Sequence, residues 1–63
     1  LENTELTERQ RLFCIYYIED FNATKAYKKA YDCSYATAMV EGSKSLRKPK
    51  IKKEIQRLLS DNL

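Results

Sequence analysis

A short interruption in the middle of this sequence limits the folds that the chain can adopt. Residues 30–38 read AYDCSYATA, with helix-forming sequence on both sides of Asp32-Cys33-Ser34. Asp32 can adopt the left-handed backbone that ends a helix, although Gly is the residue preferred there. Ser34 is a strong helix N-cap. The pattern therefore predicts a helix that ends at Tyr31, a tight turn, and another helix that starts at Tyr35.

Local capping signals define the other helices. Thr7 and Gln10 have the spacing of a capping box, and Asn22 is a favoured N-cap. Pro49 suits a first helical turn, where its missing N–H is not needed. The expected helices cover about residues 8–19, 23–31, 35–46 and 49–60.

The composition agrees with a small helical domain. A chain of 63 residues with one Gly and one Pro does not suit a β fold rich in turns. We therefore predict an all-α, compact bundle of about four short helices that contains a helix-turn-helix. Residues 1–63 form one domain, divided into a lead-in (1–6), a three-helix core (7–47) and a basic C-terminal helix (49–60). Because the chain begins at Leu1 and not at Met, we expect it to be part of a longer protein.

Helical spacing also assigns side chains to the core and to the surface. Gly42 is costly inside a helix, so we expect it to pack closely against a neighbouring helix. The two cysteines lack metal-site spacing and are interpreted as small core residues, with a disulfide as the alternative. The predicted core residues are Phe13, Tyr17, Tyr27, Val40, Leu46, Ile51 and Ile55. The predicted inner stripe of the third helix is Ala36, Met39, Val40, Ser43 and Leu46, and its predicted outward residues are Thr37, Ala38, Glu41, Lys44, Ser45 and Lys48.

Charge is distributed unevenly along the chain. Residues 1–43 carry five basic and seven acidic side chains, a balance of −2, whereas residues 44–63 carry seven and two, a balance of +5. A basic half favours a polyanionic partner, although an ordinary solvated helix face would have the same composition. The sequence has no histidine and no evident pair of nucleophile and base, so we expect neither an enzyme nor a metal or cofactor site. No apolar run is long enough to span a membrane.

The interrupted helix pair suggests binding to double-stranded DNA, with an ordinary helical hairpin as the alternative. In DNA-binding versions of the motif the second helix enters the major groove and its exposed residues meet base edges. The base-edge candidates are Thr37, Ala38, Glu41 and Ser45. The phosphate candidates are Lys25, Lys28, Lys44, Arg47 and Lys48, together with Asn22 and Thr24 at a helix start. Each basic residue could equally serve solubility alone, and Asn22 and Thr24 are capping residues first.

The chain also resembles the N-terminal domain of the small terminase subunit of tailed bacteriophages. The resemblance covers about residues 6–58. It departs from the family at Asp32-Cys33-Ser34, where Gly-Tyr-Ser is common, and at Lys48, where Asn is common. The matching pieces are Leu6-Thr7 with Gln10, Phe13-Cys14, Tyr17, Asn22-Ala23-Thr24 with Ala26 and Ala30, Ser34 or Tyr35 with Ala36-Thr37-Ala38, and Gly42-Ser43 with Leu46.

The resemblance implies a non-enzymatic role in viral genome packaging. Small terminase subunits recognise the packaging site on concatemeric viral DNA and deliver it to a large subunit that holds the ATPase and nuclease. They form ring homo-oligomers through a separate segment, so this part is expected to be monomeric, without membrane contact, in the cytoplasm of the infected bacterial host. Contacts with the large subunit are expected mostly outside this chain. Two alternatives stay open: a module of a transcription regulator or transposase, and a basic protein-interaction domain.

Overall fold

The computed structural model describes residues 6–61 and contains four helices. They are α1 (Glu8–Asp20), α2 (Ala23–Tyr31), α3 (Tyr35–Arg47) and α4 (Pro49–Asp61). Described residues 6–61 contain no strand. The all-α prediction is therefore confirmed, and each expected helix boundary lies within one residue of the observed one. Of the expected lead-in, residues 1–5 lie outside the described part, and Leu6 packs against the core.

Each of the first three helices begins with the predicted cap. Thr7 Oγ1 accepts from the backbone N–H of Gln10 at 3.1 Å, and the Gln10 side chain accepts from the Thr7 N–H at 3.0 Å. Asn22 Oδ1 accepts from the Lys25 N–H at 3.1 Å, and Ser34 Oγ accepts from the Thr37 N–H at 3.2 Å. These bonds satisfy N–H groups that a helix start otherwise leaves without partners.

Two helices end in left-handed residues that are not glycine. Asp32 has φ of 51° after α2, as its residue type predicted, and Phe21 has φ of 53° after α1. The N–H of Phe21 bonds to the Tyr17 carbonyl at 2.6 Å, and that of Asp32 to the Lys28 carbonyl at 2.9 Å. The Phe21 conformation was not foreseen, because large side chains disfavour this region of the backbone map.

The four helices form a closed ring of neighbours. Each helix packs against the next along the chain, and α4 returns to pack against α1. The domain measures about 30 × 30 × 17 Å and is therefore flat. Within residues 6–61, no helix combines the length and apolar character needed to cross a membrane.

The core forms where α1, α2 and α4 meet. Its fully enclosed side chains include Phe13 and Cys14 from α1 and Ile51 from α4, and Ile55 adds a second residue of α4. The C-terminal helix thus completes the apolar core in addition to carrying positive charge. Of the predicted core residues, Phe13, Ile51 and Ile55 are buried, and Tyr17, Tyr27 and Leu46 are partly buried against them.

Aromatic rings fill much of the space between α1 and α2. Phe13 and Tyr17 stack with ring centroids 6.2 Å apart, as their spacing of four residues predicted. Tyr27 meets Phe13 edge-on at 6.0 Å and stacks on Tyr31 at 4.0 Å. Because a 63-residue domain buries little surface, these large side chains supply a substantial part of its apolar contact area.

The predicted orientation of α3 is wrong. Val40, assigned to the core, is 54% exposed and Met39 is 50% exposed, whereas Ala38, assigned to the surface, is fully buried. Gly42 and Ser45 are also buried. The buried residues of α3 are therefore the small residues Ala38, Gly42 and Ser45, and Leu46 is partly buried against the core.

The expected close approach at Gly42 is confirmed. A Cβ atom added there would lie 2.8 Å from the carbonyl oxygen of Ala23 and 3.1 Å from its carbonyl carbon. The middle of α3 thus rests directly on the first turn of α2. The small residue at position 42 allows this contact, and Met39 and Val40 are turned outward, whereas Leu46 packs against the core.

The two cysteines occupy different environments and are both free. Cys14 is fully buried, with its Sγ 3.9 Å from the carbonyl oxygen of Ile51. Cys33 is only partly buried, so its assignment to the core was too strong. Burial, with a further contribution from the Glu54 carboxylate, raises the pKa of the Cys14 thiol to about 11.

We expect iodoacetamide at pH 8 to alkylate Cys33 well before Cys14 in the folded protein. With its pKa near 11, Cys14 has only ~0.1% thiolate at that pH, and the thiolate is the reactive form. Mass spectrometry over time should show one fast modification and a second only after denaturant is added. The Cys33→Ser variant should lose the fast phase, and a fast phase that persists in this variant would contradict the assignment.

Candidate nucleic-acid interface

Helices α2 and α3, joined by residues 32–34, form a helix–turn–helix whose second helix is held firmly in place. Gly42 anchors α3 on the start of α2, and Ala38 is buried one turn earlier. At the other end of α2, Arg9 from α1 donates to the carbonyl oxygen of Ala30 at 2.8 Å. This bond satisfies a carbonyl that the helix end leaves open.

The outward face of α3 lies opposite its buried stripe. At about 100° per residue, Ala36, Val40, Ser43 and Arg47 fall on this face, and all four are exposed. Met39 lies on one flank, and Thr37 and Lys44 lie on the other. We call these residues together the α3 outward face: Ala36, Thr37, Met39, Val40, Ser43, Lys44 and Arg47.

The four base-edge candidates separate into two groups. Thr37 is exposed, and its Oγ1 accepts from the Ser34 hydroxyl at 3.0 Å. Glu41 is half-buried, with a carboxylate oxygen 3.7 Å from Lys44 Nζ. Ala38 and Ser45 are 0% and 7% exposed against the rest of the domain, so neither side chain is available to a base edge.

Three of the five basic phosphate candidates come together at the end of α3. Lys44 and Arg47 lie in its last turn, and Lys48 is its C-cap. All three are exposed, and positive charge is favourable at a helix C-terminus. Within residues 6–61, neither Arg47 nor Lys48 forms an ion pair with an acidic side chain. The end of α3 is therefore a compact, exposed cluster of positive charge.

The other two lysines lie on α2, apart from that cluster in sequence. Lys25 Nζ lies 3.0 Å from a carboxylate oxygen of Asp20, and this hydrogen bond lowers the pKa of the Asp20 carboxyl. Lys28 is exposed one turn later. Lys25 thus has a local partner that an approaching phosphate would have to displace.

The two polar candidates at the start of α2 are committed to the helix itself. Asn22 uses its side-chain oxygen as the N-cap. Thr24 is partly buried in the first turn. The backbone of α3 at Gly42 also packs directly against Ala23 in the first turn of α2. Capping and packing therefore explain both residues without a ligand.

Helix α4 carries less free positive charge than its sequence indicates. Arg57 donates two bonds to the Glu54 carboxylate, at 3.1 and 2.7 Å, and another to Asp61 at 3.0 Å. The hydrogen bonds from Arg57 lower the pKa of Glu54. Lys50, Lys52 and Lys53 remain exposed. Arg57 is thus part of a local network that stabilises the helix surface.

Other kinds of site find little support in residues 6–61. A shallow open groove follows α4 beside Leu6 and Arg11, and Lys50 and Lys53 contribute to its lining. The described residues contain no cluster of three His, Cys, Asp or Glu side chains that could hold a metal ion. The α3 outward face, with the basic residues at its C-terminal end, is the surface that combines exposure, positive charge and close packing of its helix against α2.

Sequence reasoning missed that α3 exposes large apolar side chains. Tyr35 is 62% exposed, in addition to Met39 and Val40. The available signal was the spacing of the small residues at positions 38, 42 and 45, which recur at i, i+4 and i+7. Had Gly42 been taken as the centre of the packed face, this stripe would have been placed inside.

Comparison with known proteins identifies the family. Residues 6–62 match the family model described as terminase small subunit. The PBSX phage terminase small subunit of Bacillus subtilis (strain 168) is 48% identical over 58 residues, which are 92% of this chain and 22% of that protein. An uncharacterized protein of Haemophilus influenzae is 51% identical over 35 residues, 56% of this chain and 20% of that protein.

These matches concern one part of longer relatives. The chain spans about a fifth of the length of the curated relatives that it matches. No solved structure matches it significantly. The family model nevertheless covers nearly all of the chain, and its range of residues 6–62 includes the four helices described above. The chain therefore belongs to the terminase small subunit family.

Proposed function

We propose that this chain is the DNA-binding domain of a phage terminase small subunit. In this role it recognises the packaging site on concatemeric phage DNA and helps to deliver that DNA to the large subunit, which holds the ATPase and nuclease. The observation that carries the proposal is the α3 outward face, which ends in the cluster of Lys44, Arg47 and Lys48. Helix α3 is packed closely on α2 and has an exposed basic end, so the helix can enter the major groove while the basic end contacts the flanking phosphates.

The structure suggests how binding divides between the two kinds of contact. Lys44, Arg47 and Lys48 contact phosphates and release counterions, so affinity depends strongly on salt. The exposed residues nearer the start of α3, among them Thr37 and Val40, lie where base edges are read. Ala38 and Ser45 act indirectly, because both are buried and help to fix α3 on the rest of the domain.

A single domain of this size makes few DNA contacts, so its own affinity is low. We propose that the full-length protein is a ring homo-oligomer that presents several copies, while this domain alone is monomeric. Tethering raises the effective concentration of the second and later copies at the DNA. The ring and most contacts with the large subunit would involve chain outside this domain, in the cytoplasm of the infected host. The domain itself contributes binding and no catalysis.

The main alternative is a domain whose basic face docks on an acidic protein. The same helices would also serve a transcription regulator or a transposase, but the family match favours genome packaging. Charge complementarity alone does not separate DNA from an acidic protein surface. A direct comparison of the two ligands does.

Salt titration of duplex binding tests the proposal. We expect a fluorescent 24-base-pair duplex to show rising anisotropy with this chain at low salt. The slope of log K against log salt should be about −3 for three phosphate contacts, at about −0.9 for each contact. A second duplex of different sequence but equal A·T content should bind similarly, because one domain makes few base contacts.

The control is an acidic protein of similar size with the same fluorophore. It should bind weakly or not at all under conditions in which the duplex binds. Absence of duplex binding at low salt and high protein concentration would overturn the DNA-binding proposal. Preferential binding of the acidic protein would favour the docking alternative.

A further inference from the structure

We propose that the α3 outward face reads the 5-methyl groups of thymine in the major groove, so that the domain prefers A·T base pairs. This inference rests on the proposed function and adds the chemical class of base feature that is recognised. It starts from the side chains that α3 exposes. Met39 and Val40 present about half of their surface to solvent, in the region of the helix expected to meet the bases.

Exposed apolar surface is unevenly distributed over the domain. Half of the exposed large hydrophobic side chains in residues 6–61 lie on α3, which supplies Tyr35, Met39 and Val40. Ala36 is exposed beside them. The small inward stripe explains why these side chains are not in the core. Ala36, Met39 and Val40 lie on the α3 outward face, where they can contact an apolar feature of a ligand.

The residue types on this face select among base features. Residues 35–43 contain none of Asn, Gln, Arg or Lys, the side chains that form bidentate hydrogen bonds with adenine or guanine. They offer instead the methyl groups of Ala36, Thr37 and Val40 and the thioether of Met39. In the major groove, the thymine methyl is the apolar feature that such side chains can contact.

The neighbouring charges favour DNA over a protein partner as the ligand. Arg47 lies seven residues after Val40 and so on the same face, and Lys44 lies one turn after Val40 on its flank. The apolar side chains of Met39 and Val40 therefore lie beside the cations Lys44 and Arg47. This arrangement complements the major groove, where thymine methyl groups on the floor lie at a fixed distance from the phosphates along the edges. A protein partner would have to reproduce the same close pairing of apolar and acidic surface.

A matched pair of duplexes isolates the methyl group. Alternating d(A-T) and d(A-U) duplexes of 24 base pairs carry the same hydrogen-bonding groups and differ in the 5-methyl group. We expect this chain to bind the thymine duplex more tightly, by about fourfold for each methyl group in the interface. Competition anisotropy at fixed low salt measures the ratio.

Two variants connect the preference to α3. Met39→Ala with Val40→Ala should lower the thymine-to-uracil ratio toward one, while the salt slope stays unchanged because no charge is altered. Ile15→Ala is the matched control, because Ile15 is an exposed apolar residue of α1, 42% accessible. It should keep the full ratio. Helical circular dichroism checks that each variant is folded.

The outcomes distinguish this inference from the proposed function. Equal binding of the two duplexes, with a normal salt slope, would overturn thymine-methyl recognition and leave DNA binding intact. A preference that survives undiminished in the double variant would also overturn it, because the methyl group would then act without the side chains of Met39 and Val40. A failure to bind either duplex would overturn the proposed function itself.

Discussion

Replacing Gly42 with Ala is expected to destabilise the domain by up to about 2 kcal/mol net, because overpacking a close contact usually costs about 1–3 kcal/mol. The added Cβ would lie 2.8 Å from the Ala23 carbonyl oxygen, which is backbone and cannot rotate away. This loss should exceed the gain of about 1 kcal/mol that Ala has over Gly inside a helix. In a domain of this size each kcal/mol lowers Tm by about 4–8 °C, so thermal unfolding followed by circular dichroism detects the change.

Ser43→Ala is the matched control for this prediction. Ser43 is the next residue on α3 but is exposed, so the substitution adds helix propensity without a clash. It should leave Tm unchanged or raise it slightly. If Gly42→Ala were as stable as Ser43→Ala, the contact between α3 and the first turn of α2 would not be as close as described.

Reversing the charge of Lys44 and Lys48 together is expected to nearly abolish duplex binding. Loss of two phosphate contacts takes about 1.8 from the salt slope, which corresponds to about 60-fold in affinity at 0.1 M salt. The introduced glutamates add repulsion to this loss, and the one at position 44 would also face Glu41. Anisotropy of the Lys44→Glu, Lys48→Glu variant measures the effect against the unmodified chain.

Lys52→Glu with Lys53→Glu provides a control of identical net charge on α4. Both lysines are exposed, like the pair on α3. If binding depends on where the charge lies, the α4 variant should lose clearly less affinity than the α3 variant. Equal losses would mean that only net charge matters, and unchanged binding in the α3 variant would refute this placement of the contact face.

The helix boundaries could be predicted because short stretches of sequence determine them. Three helix starts have a side chain that accepts from the backbone N–H three residues later, and these side chains belong to Thr7, Asn22 and Ser34. Asp32 tolerates the left-handed conformation better than most residues. Signals of this kind need no knowledge of tertiary structure, and all of them were correct.

The rotation of α3 about its axis was predicted incorrectly because hydrophobicity was given more weight than size. Met39 and Val40 are apolar, so they were placed inside. At Gly42 the distance to α2 leaves no room for a side chain, and the other buried residues of α3 are Ala38 and Ser45. How closely two helices approach depends on both partners and cannot be deduced from one helix alone. Because of this error, two of the four predicted base-edge residues, Ala38 and Ser45, were placed on the surface although both are buried.

Contacts between distant residues were also beyond prediction. The bond from Arg9 to the Ala30 carbonyl spans 21 positions, and no local pattern indicates it. The left-handed backbone of Phe21 was not foreseen either: its ring is 57% exposed and meets Tyr17, one turn earlier, edge-on at 5.4 Å. Charge counts likewise could not show that Arg57 is held by Glu54 and Asp61.

The ring of helices also has a consequence for folding kinetics. Three of its four interfaces join helices that are consecutive in the sequence, and one, between α1 and α4, closes the ring. Little loop-closure entropy therefore opposes assembly, and helical proteins with such local contacts fold within microseconds to milliseconds. A copy that unfolds while tethered near DNA would regain its shape quickly, which makes low equilibrium stability tolerable in so small a domain.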